Sequence, residues 1–303
     1  MIRMILSAVA AVILFISVSS SSRALEILGT KPKHIAGSAS SVPNEQAITK
    51  AIWVPGIDDG YVPQGLTIAD GHILFAGYKS TDPKVNRGPC RIYRVDMRSG
   101  RQAGHFDMPA DCGHAGGLVY LGKGVLIAGD TRRLYQIDLA AALADGNTAK
   151  ALKSIVKLSG DLKASFIDFD GTRLFLGSSE KESSKARGYF LPLDVLVKAN
   201  GKTISEDAAV RSIPLPIEAN GAAFDRGGGL WVTASSSKHG SIQKLDAATG
   251  KVMVRYEAVI GIEDLGFDDD GRLWSLSEAG SLRWSKWTKT FPVIFQMDVA
   301  KLK

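Results

Sequence analysis

Few residues in this chain stand at spacings that define a chemistry. There is no G-x-S-x-G nucleophile elbow, no H-E-x-x-H and no phosphate-binding loop. Candidates come from two groups instead. Gln64, Asn220 and Glu263 each open an apolar phrase that runs into a glycine turn, and His114 precedes another. Glu263 could serve as an acid/base or a hard-cation ligand with Asn220 as its partner, and His114 could be a general base. Two carboxylates are also what a glycosidase needs, and Asp264 or the Asp58–Asp59 pair could supply the second. Neighbouring residues on a strand face opposite sides, so Glu263 and Asp264 are not themselves that pair.

The second group is cationic. The segments "YKSTDPKVNRGPCR", "DTRR", "SSEKESSKAR", "ASSSKHG" and "SEAGSLRWSKWTKT" hold thirteen Lys or Arg and five Asp or Glu, a net +8. The whole chain carries +6, so the remainder is slightly acidic. Charge segregated in this way attracts anions. Lys79, Arg87, Arg132, Arg133, Lys185, Lys238 and Arg283 are the expected anion contacts, Gln64 adds a neutral hydrogen bond, and Trp284 and Trp287 are candidates for stacking on a sugar.

A repeat explains why these residues should meet. "QGLTIADGHILFAG", "GGLVYLGKGVLIAG", "ASFIDFDGTRLFLG", "NGAAFDRGGGLWVT" and "EDLGFDDDGRLWSL" each read as strand, tight turn, strand. A third strand follows each and closes on Asp96, Asp138, Asp194, Asp246 or Asp298, expected turn and capping residues. A fourth strand follows the first four of these but not Asp298. Four-stranded units at this period predict an all-β propeller of five blades, with six as the alternative. "QAITKAIWVPG" at 47–56 is the expected closing strand of the last blade. The inner-strand entries and the loops between second and third strands then share one face, at the mouth of the central channel. Trp231 and Trp274 align with core positions, and "LAAALADG" reads as a helical turn.

The first 24 residues have the layout of a secretory signal peptide, with Arg3, an apolar run and Ser22-Arg23-Ala24 before the cleavage point. Residues 25–46 read as a linker and 47–303 as one propeller domain. The expectation is an exported, periplasmic or secreted monomer with no membrane span after processing. Its two cysteines, Cys90 and Cys112, fall at adjoining strand ends and predict a disulfide. The expected partner is an anionic small molecule or polysaccharide rather than nucleic acid.

"ANGAAFDRGGGLWVTAS" and "IEDLGFDDDGRLWSLSEAG" resemble phrases of gluconolactonase and regucalcin-like propellers, and of NHL and virginiamycin-lyase-like propellers. The lactonase resemblance implies a divalent cation such as Ca²⁺ at the mouth, held by Glu263 and Asn220, and a metal-dependent lactonase or esterase activity. The family has six blades and an acidic ligand where Gln64 stands. Two function classes follow: an exported propeller binding an anionic, saccharide-like or phosphorylated ligand, and a hydrolase of lactonase or glycosidase type at the same mouth.

Overall fold

The computed structural model describes residues 25–303; the expected signal peptide lies outside the described residues. Five sheets form the ring, each with four antiparallel strands, and two of them gain a two-residue parallel strand at the outer edge. Blade 1 comprises Tyr61–Ala69, His72–Lys79, Cys90–Asp96 and Gln102–Asp107. Blade 2 comprises Gly117–Tyr120, Val125–Asp130, Arg133–Asp138 and Leu152–Leu158. Blade 3 comprises Phe166–Phe169, Arg173–Gly177, Arg187–Pro192 and Arg211–Pro214. Blade 4 comprises Ala219–Phe224, Leu230–Ser235, Gly240–Leu245 and Val252–Glu257.

Blade 5 has Ile262–Phe267, Leu273–Ser277 and Val293–Met297 from the C-terminal end of the chain. Its outer strand is Ile48–Trp53, antiparallel to Val293–Met297. The ring is therefore closed by an N-terminal strand, which covers an edge that would otherwise be open to pairing. The stretch expected as a linker is also built in. Ile27–Leu28 adds outside Ile48–Trp53 in parallel, and the His34 side chain joins Asp58 to the carbonyl oxygen of Gly280.

Local chemistry explains the repeat. In blade 1 the hairpin turns at Asp70 and Gly71, both at positive φ, the backbone a two-residue hairpin loop needs. In blades 4 and 5 the Asp of the "FD…LW" phrase has two tasks. Asp225 accepts from the N–H of Gly227 and Gly229 and from Trp231 Nε1 at 2.9 Å. Asp268 accepts from the N–H of Asp270 and Arg272 and from Trp274 Nε1 at 2.7 Å. One carboxylate thus holds the turn and satisfies a buried indole, which is why both tryptophans belong to the core.

Of the closing aspartates, Asp96, Asp138, Asp246 and Asp298 accept from N–H groups two or three residues on. Asp138 caps the helix Leu139–Asp145. Asp194 departs from the pattern: it makes no cap and pairs with Lys198 at 2.5 Å.

Candidate functional site

The inner strands approach so closely that side chains cannot separate them. A Cβ on Gly117 would fall 2.4 Å from Ile167 N, and one on Gly221 would fall 2.4 Å from the Cα of Asp264. In this closed centre Asp264 is fully buried and ties three blades together. Its Oδ2 accepts from the N–H of Leu66 at 3.0 Å and of Leu118 at 3.4 Å, and its Oδ1 from Ala222 at 3.3 Å. Burial lifts its pKa well above the carboxylate range, against the pull of the backbone N–H bonds from Leu66, Leu265 and Leu118. Asp168, whose Oδ2 accepts from Phe224 N at 2.7 Å, is pushed up by burial to about 7. These two carboxyls are the structural centre of the ring.

Above them, Gln64, Glu263 and Glu278 gather at the mouth, all buried. Gln64 Nε2 donates to Pro63 O at 2.8 Å and to Glu278 Oε2 at 3.3 Å. The Glu263 carboxyl has no hydrogen-bond partner among the described residues. Burial, then the neighbouring charges of Glu278 and Asp264, raise Glu263 well above its ordinary pKa. Burial pushes Glu278 up to about 7, against the Trp284 indole and the Gln64 amide. Trp284 Nε1 is buried beside this group without a hydrogen bond of normal geometry. Two carboxyls in one low-dielectric site cannot both ionise readily, so the pair holds a proton near neutral pH.

Sequence reasoning missed Glu278. The hairpin register sets Glu278 across from Gly261, with Glu278 N donating to Gly261 O at 2.9 Å, and Glu263 follows two residues on. Asn220, expected as the partner of Glu263, connects to its strand through Ser235. Asn220 Nδ2 donates to Ser235 Oγ at 2.8 Å, and that hydroxyl donates to Ile262 O at 2.9 Å.

The donor set at the mouth does not fit a Ca²⁺ cage. Taken one oxygen each, Glu263, Glu278 and the Gln64 and Asn220 amides provide four of the six to eight oxygens that Ca²⁺ takes, and both Asp264 oxygens are engaged by backbone N–H groups. Elsewhere among the described residues, Cys90, Cys112 and Asp130 converge, but the Cys90–Cys112 disulfide occupies both sulfurs.

The cationic residues divide. Arg283 is buried: it donates to the Tyr78 hydroxyl and to the carbonyl oxygens of Asp82 and Pro83, and stacks 4.2 Å from the Trp284 ring. Trp284 and Trp287 stack on each other at 4.8 Å. Lys185 pairs with Glu182, Lys79 sits 5.8 Å from the Tyr61 ring, and Lys238 is exposed. Arg87, Arg132 and Arg133 converge on a cleft of about 250 Å³ between blades 1 and 2, lined also by Asn86, Asp111, His114 and Asp130. Its two carboxylates are already engaged. Asp111 meets Arg133 Nε at 2.9 Å and accepts from Tyr135 Oη at 3.0 Å. Asp130 accepts from the N–H groups of Gly113, His114 and Ala115. Arg132 is oriented by the carbonyl oxygens of Gly160 and Leu162, whereas Arg87 makes no hydrogen bond or ion pair among the described residues.

The comparisons agree on the fold. No family model matches the chain, and no curated protein matches its sequence. Among solved structures, the glutaminyl cyclase of Myxococcus xanthus is similar over 83% of this chain and 94% of its own, at 13% identity and a TM-score of 0.56. A luciferin-regenerating enzyme is similar over 71% of this chain and 69% of its own, at 13% identity and a TM-score of 0.39. BamB from Moraxella catarrhalis is similar over 77% of this chain and 57% of its own, at 13% identity and a TM-score of 0.34. At 13% identity, the likeness to the glutaminyl cyclase supports the β-propeller fold alone. It does not assign an activity.

Proposed function

We propose that this protein is an exported β-propeller that binds an anionic ligand at its basic rim, in the cleft between blades 1 and 2. The observation that carries this reading is the convergence of Arg87, Arg132 and Arg133 on one cleft whose carboxylates already have partners. Export is supported by the Cys90–Cys112 disulfide, which persists in oxidising compartments. No described helix is long and apolar enough to cross a membrane. The test is binding of an anionic oligosaccharide to wild type and to Arg87→Ala at two salt concentrations. Affinity should fall as salt rises and fall about tenfold in the variant, in keeping with loss of a charged hydrogen bond. Equal affinity at low and high salt would count against this function.

The Glu263–Glu278 pair favours a second reading, a propeller hydrolase. One carboxyl of the pair is kept protonated and could serve as an acid while its ionised neighbour serves as a base. Gln64 and Asn220 would orient the substrate. Glu263→Gln should then abolish turnover of a lactone, ester or glycoside without unfolding the protein. Turnover that survives the substitution would remove this reading.

A further inference from the structure

In the cleft between blades 1 and 2, His114 constrains the ligand more than the arginines do. Its Nδ1 lies 2.7 Å from the carbonyl oxygen of Asn86, and a carbonyl can only accept, so Nδ1 carries the proton. The ring is stacked on Tyr78, centroids 4.5 Å apart and planes 23° from parallel, which fixes its orientation. Burial lowers the pKa of the ring, and the Asn86 carbonyl and the Asp130 charge oppose that only in part. A neutral ring protonated at Nδ1 leaves Nε2 as a hydrogen-bond acceptor, and Nε2 has no partner among the described residues. The cleft therefore pairs cationic donors with one fixed neutral acceptor.

Charge and size narrow the ligand further. Arg87, Arg132 and Arg133 set against Asp111 and Asp130 leave the cleft a single net positive charge, with Arg87 as its unengaged cation. The guanidinium of Arg87 lies over Gly113, where a Cβ would be 3.5 Å from Nε. A volume of about 250 Å³ is below the ~300–1,000 Å³ usual for drug-sized ligands. It suits a small molecule or the terminal residue of a chain.

We infer that the cleft recognises a carboxylate carrying a nearby hydroxyl, a hydroxy acid or a uronic acid, with Arg87 and Arg132 taking the carboxylate and His114 Nε2 accepting from the hydroxyl. This rests on the anion-binding role proposed above and adds the hydroxyl requirement to it.

The experiment is nuclear magnetic resonance of the ¹⁵N-histidine-labelled protein at pH 7, titrated with glucuronate, lactate and propanoate. Before any ligand is added, His114 should be neutral with its proton on Nδ1; a proton on Nε2 overturns the inference. Glucuronate and lactate should bind and shift Nε2, with propanoate about five- to tenfold weaker than lactate, the size of one neutral hydrogen bond. His114→Phe, which keeps the ring on Tyr78, should remove that preference while Arg87→Ala weakens all three acids. Lactate and propanoate binding equally, with Arg87→Ala weakening both, would overturn the hydroxyl requirement and leave anion binding standing. No binding by any of the three acids would overturn both.

Discussion

Gln64 and Glu278, 214 residues apart, meet at the channel mouth with Nε2 donating to Oε2 at 3.3 Å. One comes from the first inner strand of the ring and the other from the loop that leaves the second strand of the last blade. The contact exists because Ile48–Trp53 completes blade 5 beside blade 1.

Burial of Glu278, whose effect the Gln64 contact opposes, bears on stability. Glu278 is raised in the folded protein to about 7, while an unfolded glutamate titrates near 4.3. Between those values the folded state holds a proton that the unfolded state has lost. The group therefore lowers stability as pH rises through that window, and its effect is constant above it. Glu278→Gln removes the titration. Relative to wild type, the variant should gain stability between pH 4.5 and 8 by up to ~3 kcal/mol. Urea unfolding at pH 4.5, 6 and 8 measures this, and a difference that does not change with pH would refute the buried proton.

The disulfide braces the loop that carries Asn86 and Arg87. Cys90 and Cys112 are buried, with Cα atoms 5.8 Å apart and a sequence separation of 22. Closing a loop of that size contributes about 3 kcal/mol in the chain-entropy account. The double variant Cys90→Ser, Cys112→Ser should lose about that much in denaturant unfolding. It should also weaken anion binding, because Gly88 N donates to the carbonyl of Gly113 across the same loop. Unchanged stability would mean that the bond does not form in the protein.

Much of this architecture is legible in the sequence, because hairpins and capping aspartates are written in local residues. The Asp–Trp phrases of blades 4 and 5 encode a turn and an indole contact within six positions. The candidate site was less legible because its contacts are long-range. Glu263 stood out by its place in the repeat, but Glu278 comes near it from the facing strand, across from Gly261, and Gln64 only through ring closure. His34 was invisible to sequence reasoning because its partners Asp58 and Gly280 lie 24 and 246 residues away. The basic loops read as one field, yet Arg283 is consumed within its own surroundings whereas Arg87 is not.

Closeness at the channel centre makes Gly221 a sensitive position. A Cβ there would lie 2.4 Å from the Cα of Asp264 and 2.8 Å from its Oδ1, and backbone offers little room to yield. Gly221→Ala should cost ~1–3 kcal/mol as overpacking, because it displaces the carboxylate that joins three blades. Gly37→Ala, where a Cβ meets nothing within 4 Å, is the control and should stay within ~0.5 kcal/mol. Thermal unfolding of the two variants makes the comparison. Equal stability would mean that the inner strands are looser than described.

The last prediction concerns metal. Resemblance to lactonase propellers implies a cation held at Glu263 and Asn220; the Asn220 Nδ2 bond to Ser235 leaves its Oδ1 open, whereas both Asp264 oxygens accept backbone N–H groups. Taken one oxygen each, Glu263, Glu278, Gln64 and Asn220 supply four, short of the six to eight of a Ca²⁺ shell. Ca²⁺ titrated into the chelator-stripped protein should therefore leave Tm unchanged, in wild type and in Glu263→Gln alike. An ion bound only by the folded state would add about 2.7 kcal/mol at a hundredfold excess over its Kd, a shift of several degrees for a domain of this size. A rise in wild type that Glu263→Gln loses would place a cation at the mouth. It would also favour the hydrolase reading over anion recognition at the rim.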